Sequence, residues 1–284
     1  DALPICLHYY LYFMLLLVVS GCSPDQHEKR QKQFHQWLEA NGKVKVLSTT
    51  AIINDIVKEV GGSYIDSIVL IQGELDPHSY QLVKGDDEKL SAAQIIFYNG
   101  LGLEHGPSLH AYLANNHKAV PLGDLVHRQY PGRVVYVHGQ KDPHFWMDVD
   151  LFSKTIPFIV QALSRQDPQH AEEFRANGGR LQAEMAKVHQ EAKEIMHRVP
   201  SDKRFLVTSH DAFHYFARAY LSEEGEISSG AWEKRFAAPE GLAPESQLSA
   251  TDIKEIIKHL KRYQIRLLFP ESNVSRDSIR KIVQ

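Results

Sequence analysis

The chain has 284 residues, with 32 basic and 35 acidic side chains and a formal net charge of −3. This length is enough for one large domain or for two lobes that each have a hydrophobic core. The nearly balanced charge shows no basic stripe, which argues against nucleic acid as a partner.

The N-terminal region has the pattern of a lipoprotein signal. Residues 11–19 form an apolar run that is shorter than the ~20 residues of a membrane span and fits the core of a signal peptide. Ser20 and Gly21 precede Cys22, as in a bacterial lipoprotein box. We predict a signal peptide over residues 1–22, clipped at its start, and lipidation of Cys22. The alternative is a buried N-terminal helix.

Cysteine usage limits the metal ligands on offer. Cys6 and Cys22 are the two cysteines of the sequence. If Cys6 is removed with the signal and Cys22 is lipidated, neither a disulfide nor a thiolate metal site remains. Imidazole and carboxylate groups are then the available ligands.

A polar tether over residues 23–43 is predicted to precede an alternation of strands and helices. The predicted strands are residues 44–48, 65–71, 95–98 and 119–122, and the helices between them include residues 50–60, 85 onward and 109–113. Such a β-α-β-α order indicates a parallel sheet with helices on both faces.

A long helix is predicted in the middle of the chain. Residues 150–163 are helical in pattern, and Asp167-Pro168 then opens a helix from about residue 169 to 197, which Pro200 ends. Gly178-Gly179 argues against an unbroken helix here, because each glycine in a helix interior costs ~1 kcal/mol of helix stability relative to alanine. The half that follows has two clear strands, residues 204–209 and 265–269, and is predicted to be truncated.

Three histidines follow β-type runs. Asp-Pro-His occurs at residues 76–78, after the run 68–71, and at residues 142–144, after the run 134–137. His210 follows the run 205–208, and the spacing is 66 residues in both intervals. Parallel sheets bind ligands beyond the carboxyl ends of their strands, so His78, His144 and His210 predict a metal site. A single such histidine is more often structural.

The donor type and the missing motifs favour binding over catalysis. Neutral imidazole suits zinc, iron, nickel and copper, and an added carboxylate makes manganese plausible. The sequence has neither His-Glu-x-x-His nor His-x-His, which are signatures of zinc hydrolases.

Five segments resemble the metal-binding lipoproteins of bacterial ABC importers, the TroA-like or cluster A-I solute-binding proteins. They are residues 69–80, 97–104, 142–148, 207–216 and 240–245. The resemblance runs from about Val44 to the C-terminus. It implies an α/β fold of two (β/α) lobes with mainly parallel sheets, over residues 44–166 and 200–284. One long rigid helix within residues 167–199 links them, and the C-terminal lobe is expected to be incomplete.

The resemblance also implies the ligand set. His78 and His144 correspond to ligands of the N-terminal lobe, and His210 takes a position at which other members have Glu. The fourth ligand, an Asp, is expected beyond Gln284, with Glu271 as a possible substitute or as a residue that supports the ligands. Three further carboxylates are candidates for orienting a histidine from behind, although a role in a turn or helix cap fits them at least as well: Asp76, Asp142 and Asp148. His105, His110, His117, His127 and His138 are scattered rather than gathered in a histidine-rich loop.

The predicted function is capture of a divalent transition-metal ion, zinc, manganese or iron, and its delivery to an ABC permease. The protein is expected to be a monomer outside the cytoplasm, in the periplasm or cell envelope, held to a membrane by its lipid anchor. It is not expected to be an enzyme. The alternatives are a metal-dependent hydrolase that uses the three histidines and a surface adhesin with a role in cell adhesion.

Overall fold

The structure is a computed structural model that describes residues 32, 34–73, 75–239, 241–242, 250–270, 280 and 282. It separates into two units, Asp1–Gly42 and Lys43–Gln284. In the first unit, residues 34–38 are helical. Cys22 and Glu271 lie outside the described residues.

A parallel sheet forms the first half of the second unit. Its strands are β1 (Val44–Ser48), β2 (Ile65–Val69), β3 (Ile95–Tyr98) and β4 (Ala119–Pro121), in the spatial order β2-β1-β3-β4. Every neighbouring pair is parallel. β1 and β3 are buried along most of their length, because parallel strands are covered by helices on both faces.

The helices of this half follow the strands in the expected alternation. They are α1 (Ala51–Gly61), α2 (Asp86–Ala92), α3 (Pro107–Ala114), α4 (Leu122–Gln129), α5 (Val149–Ser153) and α6 (Ile156–Gln166). The single helix predicted over residues 150–163 is wrong, since α5 and α6 are separate. Pro157 lies in the first turn of α6 and has no N–H to continue a helix from α5.

The β-type run at residues 134–137, before the second Asp-Pro-His motif, is not a strand of the parallel sheet. Its last two residues form β5 (Tyr136–Val137), which pairs antiparallel with β6 (Gln140–Lys141). His138 and Gly139 both have positive φ, 49° and 81°, as a tight hairpin turn requires. His144 therefore follows a hairpin and not a strand of the parallel sheet.

The long helix is continuous as α7 (Ala171–His197), 27 residues after a 3₁₀ turn at Pro168–His170. It packs against α1, α5 and α6. Gly178 faces α6, where an added Cβ would lie 2.8 Å from Val160 Cγ2 and 3.0 Å from Ile156 Cγ2. The glycine in this helix thus permits a close approach between two helices.

The last part of the chain contains β7 (Leu206–Val207), α8 (His214–Phe216), a π-helical turn (Ala217–Leu221), α9 (Glu224–Ser229), β8 (Phe236–Ala237) and α10 (Ala250–Tyr263). β7 and β8 pair in parallel, and Thr208 forms an isolated bridge with Phe269. α9 and β8 were not predicted, and the predicted strand 265–269 is reduced to this bridge.

A large hydrophobic core runs through much of the second unit. It joins sheet residues such as Val46 and Phe97 to Phe174 of α7 and to Tyr215 and Phe236 of the last part. Lys43–Gln284 forms one compact unit, and its division at residues 166 and 199 stays a prediction. Within the described residues, no helix combines the length and apolar character needed to cross a membrane.

Candidate metal site

Three buried histidines meet in the second unit. His78, His144 and His210 are exposed by 4%, 1% and 7%, and each offers a ligand nitrogen within 4.8 Å of the other two. We refer to them as the three-histidine site. The predicted convergence of these residues is therefore present in the structure.

The imidazole rings of the site are in direct contact. Nε2 of His78 lies 3.2 Å from Nε2 of His144. The ring centroid of His210 is 4.9 Å from that of His144 and 5.7 Å from that of His78. Nitrogens that face one another at this range form a pocket of lone pairs and N–H groups suited to a small cation.

His144 is fixed by Asp142 of the same motif. The Asp142 carboxylate accepts a hydrogen bond from the backbone N–H of His144 at 2.9 Å. The same oxygen lies 2.7 Å from His144 Nδ1. A carboxylate acceptor keeps the proton of the ring on Nδ1, so Nε2 presents its lone pair to the site.

The equivalent residue of the first motif has a different role. Asp76 accepts hydrogen bonds from the backbone N–H of His78 at 3.0 Å and from the Ser79 hydroxyl at 2.7 Å. These contacts stabilise the turn that presents His78, which is the alternative role considered for this aspartate.

Asp148 lies at a helix end. Its carboxylate caps α5 by accepting from the Leu151 N–H at 3.2 Å, and it pairs with Arg133 at 2.8 Å. His189 Nδ1 of α7 is 3.7 Å away. These contacts give the carboxylate a capping role in the helix that follows His144, and an orienting role toward a ligand stays a prediction.

His210 lies just after β7, as the sequence predicted. The Thr208 hydroxyl donates to the His210 carbonyl at 2.8 Å, and His210 Nε2 lies 3.2 Å from the Leu242 carbonyl. Because a carbonyl only accepts, this contact places a proton on Nε2 of the neutral ring. Asp211 pairs with His214 at 2.8 Å.

The pKa of His78 reflects its position in the site. Burial, followed by the charge that His144 would carry, lowers the pKa of His78 from 6.5 to about 3. The ring therefore stays neutral over the whole range in which free histidine titrates, and a neutral imidazole is the form that binds metal.

Sequence reasoning missed two tyrosines that support the site. The buried Tyr215 hydroxyl donates to the Asp142 carbonyl at 2.9 Å and accepts from the Val135 N–H at 3.1 Å. The Tyr220 hydroxyl accepts from the Val149 N–H at 3.0 Å and also contacts His189. The sequence offers no local signal for these bonds, since the backbone partners lie more than 70 residues away.

Residues 46–284 match the family described as "ZnuA: Zinc-uptake complex component A periplasmic". The metal-binding protein YtgA of Chlamydia pneumoniae is 38% identical over 244 residues, which cover 86% of this chain and 75% of that protein. The manganese ABC transporter substrate-binding lipoprotein PsaA of Streptococcus mitis is 28% identical over 284 residues, covering 97% of this chain and 84% of that protein.

A solved structure confirms the fold class. The crystal structure of Fe(III)-bound YtgA from Chlamydia trachomatis matches with a TM-score of 0.82 at 38% identity and covers 85% of each chain. The resemblance to cluster A-I solute-binding proteins is thus confirmed, as is the α/β fold with a mainly parallel sheet and a long helix. The findings favour metal transport over the hydrolase and adhesin alternatives. The chain belongs to the ZnuA family of periplasmic metal-binding proteins, which serve metal uptake and not catalysis.

Proposed function

We propose that this protein captures a transition-metal ion with His78, His144 and His210 and delivers it to an ABC permease. The observation that carries the proposal is the meeting of three buried imidazoles from segments 66 residues apart in the chain. The names of the relatives, a metal-binding protein and a manganese transport lipoprotein, support the same cargo class.

The distance between two of the nitrogens fits a bound ion. Nitrogen ligands lie about 2.0–2.1 Å from zinc, so two of them in a tetrahedral site are about 3.3 Å apart. The observed separation of His78 Nε2 and His144 Nε2 is 3.2 Å. These two rings therefore need little movement to share one ion.

Metal binding must displace a proton between these rings. Because His144 Nδ1 donates to Asp142, Nε2 of a neutral His144 accepts, and His78 Nε2 donates across the 3.2 Å gap. An ion that binds both atoms would replace this proton, and the neutral His78 ring would then carry its proton on Nδ1. The ion takes the place of a hydrogen bond that already holds the rings together.

Zinc, manganese and iron are the proposed cargo ions. The family description names zinc, PsaA is named for manganese, and the YtgA structure holds Fe(III). Three imidazoles bind all of these, and a carboxylate as fourth ligand would favour the harder ions. We propose an Asp beyond Gln284 as that ligand, with Glu271 as the alternative.

The proposed location is the outer face of a membrane. Diacylated Cys22 would hold a monomer there through the tether of residues 23–43, close to the permease. Mass spectrometry of the membrane fraction should find the lipid on Cys22. A Cys22→Ala variant should be released to the soluble fraction, and its retention in the membrane would contradict the anchor.

The binding site is tested by metal content and affinity. Protein purified without chelator should hold about one ion per chain, and His78→Ala combined with His144→Ala should lose it. His110→Ala is the matched control, since His110 is an exposed histidine on α3. Tight binding that survives the double substitution would overturn the site assignment.

A further inference from the structure

A fourth histidine lies beside the three-histidine site at its solvent side. The ring centroid of His105 is 5.6 Å from that of His78. His105 is exposed, whereas His78 is buried. Both side chains line the same cavity of about 1050 Å³, so an exposed imidazole and a buried one share this space.

Hydrogen bonds to Glu104 fix the loop that carries His105. Glu104 is buried, and its carboxylate accepts from the Thr49 hydroxyl at 2.7 Å and from the N–H groups of Asn99 and Gly100 at 2.8 and 3.1 Å. Burial raises the pKa of Glu104 in spite of these donors. Such a network holds the backbone on the N-terminal side of His105 in one position.

The same loop lies directly against the segment of His78. A Cβ on Gly106 would lie 2.0 Å from the Tyr80 carbonyl oxygen, a distance that no side chain can occupy. Gly106 is next to His105, and Tyr80 is two residues after His78. The closeness of the two imidazoles is therefore a fixed feature of backbone packing.

His105 is held within its own loop by one ring nitrogen. His105 Nδ1 lies 3.2 Å from the Gly102 carbonyl, which only accepts, so this bond places the ring proton on Nδ1. Among the described residues, the ligand atoms that meet within 4.8 Å belong to His78, His144 and His210. His105 is thus outside that group but next to one of its members, His78.

We propose that His105 is a relay ligand, which binds the incoming ion first and passes it to His78. This inference rests on the proposed function. An ion that leaves water for buried imidazoles loses its hydration in steps, and a ligand at the mouth replaces one water before the next bond forms. Four carboxylates among the described residues also line the cavity, against Lys141: Asp124, Asp211, Asp252 and Glu255. Asp211 pairs with His214 and Glu255 lies 3.6 Å from Lys258, and the remaining negative charge draws cations toward the relay.

A relay has a kinetic signature that a fourth permanent ligand lacks. It lowers the barrier between solvent and site, so its loss slows binding and release by the same factor and leaves the equilibrium Kd unchanged. A permanent ligand contributes to the bound state, and its loss speeds release and raises Kd.

The test is stopped-flow binding of Zn²⁺ to the whole chain. Trp146, whose ring centroid is 5.2 Å from that of His144, supplies the fluorescence signal, and a chromophoric chelator drives release. We expect His105→Ala to slow both rates by about tenfold, within the one to three decades over which association rates vary among variants of one site. His105→Asn repeats the test, and His110→Ala is the control.

Each outcome decides between the alternatives. Equal slowing with an unchanged Kd and an unchanged Co²⁺ absorption spectrum supports the relay. Rates equal to those of His110→Ala overturn it, and so does a raised Kd with an altered Co²⁺ spectrum, which makes His105 a permanent ligand. Failure of the wild-type chain to bind Zn²⁺ overturns the proposed function instead.

Discussion

Asp142 and Asp76 occupy the same place in two copies of one motif but accept hydrogen bonds from different side chains. Both accept the backbone N–H of the histidine two residues later. Asp142 also accepts from the ring Nδ1 of His144, whereas the second oxygen of Asp76 accepts from Ser79. The repeated motif thus supplies the same turn twice but orients the imidazole of His144 through Asp142.

This difference predicts unequal effects of the same substitution. Asp142→Asn removes the charge behind His144 and should weaken metal binding roughly 10–100-fold, the usual range for residues that support a ligand. Asp76→Asn retains an oxygen for the backbone bonds and should change Kd by less than about threefold. Competition titration against a chromophoric chelator measures both. Equal losses in the two variants would contradict the assigned roles.

The lowered pKa of His78 predicts how the metal-free protein responds to acid. The unfolded chain takes up a proton at His78 as the pH falls through 6.5, but the folded chain does so only near about 3. The unfolded state binds more protons in this window. The free energy of unfolding therefore decreases as the pH falls, by up to about 1.4 kcal/mol per pH unit from this residue.

Urea unfolding between pH 6 and 4.5, with chelator present, checks this expectation. His78→Gln has no such proton to take up, so its free energy of unfolding should fall less steeply with acid than that of the wild type. The wild type and this variant differ in one titrating group, His78. Parallel curves would show that His78 is not held neutral by the fold.

Among the elements, the parallel sheet was predictable because its strands are buried on both faces. Such strands read as short continuous apolar runs, as in residues 95–98, and they alternate with helices, the first of which ends at Gly61 with Gly62 as its C-cap. β8 was missed because Phe236–Ala237 has two residues and no periodic pattern. Its pairing with β7 is set by the tertiary fold.

His144 meets the other two histidines, but not from the predicted strand. The run 134–137 predicted a strand of the parallel sheet, but β5 belongs to a hairpin. The Asp142 N–H donates to the Val135 carbonyl at 2.9 Å, which closes the base of this hairpin two residues before His144. A single sequence does not reveal which strand a short β run will pair with.

Two adjacent glycines in α7 predict opposite responses to alanine. At Gly178 a Cβ would come within 2.8 Å of Val160, so Gly178→Ala must push α6 and α7 apart and should destabilise the protein by about 1–3 kcal/mol. At Gly179 no atom lies within 4 Å of the added Cβ. Gly179→Ala should stabilise the protein by roughly 0.5–1 kcal/mol through helix propensity.

Thermal and urea unfolding of the two single variants measure these changes. Each variant serves as the control of the other, since the substitution and the helix are the same. Stabilisation by both would mean that α6 and α7 are not in close contact at residue 178.

On the scale of the whole molecule, two tyrosines join segments that are far apart in sequence. Tyr215 follows His210 by five residues and binds the base of the hairpin that leads to His144. Tyr220 binds the start of α5 and His189 of α7. Both are almost fully buried, so their hydroxyls need these partners.

Removal of the two tyrosine hydroxyls, one at a time, should distinguish an effect on stability from an effect on metal affinity. Tyr215→Phe and Tyr220→Phe each leave buried backbone groups without a partner and should each lose about 1–3 kcal/mol of stability. Because Tyr215 contacts Asp142, only Tyr215→Phe should also weaken metal binding, by several-fold. Urea unfolding and chelator competition give the two readouts. Equal losses of affinity would show that the effect follows from lower stability alone.

The continuous α7 also provides a built-in ruler. Its backbone rises about 1.5 Å per residue, so dyes on the exposed Glu172 and Lys193 would stay roughly 30 Å apart whether or not an ion is bound. A third label on the hairpin turn at Gly139 can then be located by triangulation from these two points. Single-molecule fluorescence on such a set would convert any shift of the hairpin during metal uptake into a measured displacement in a frame that the protein itself supplies.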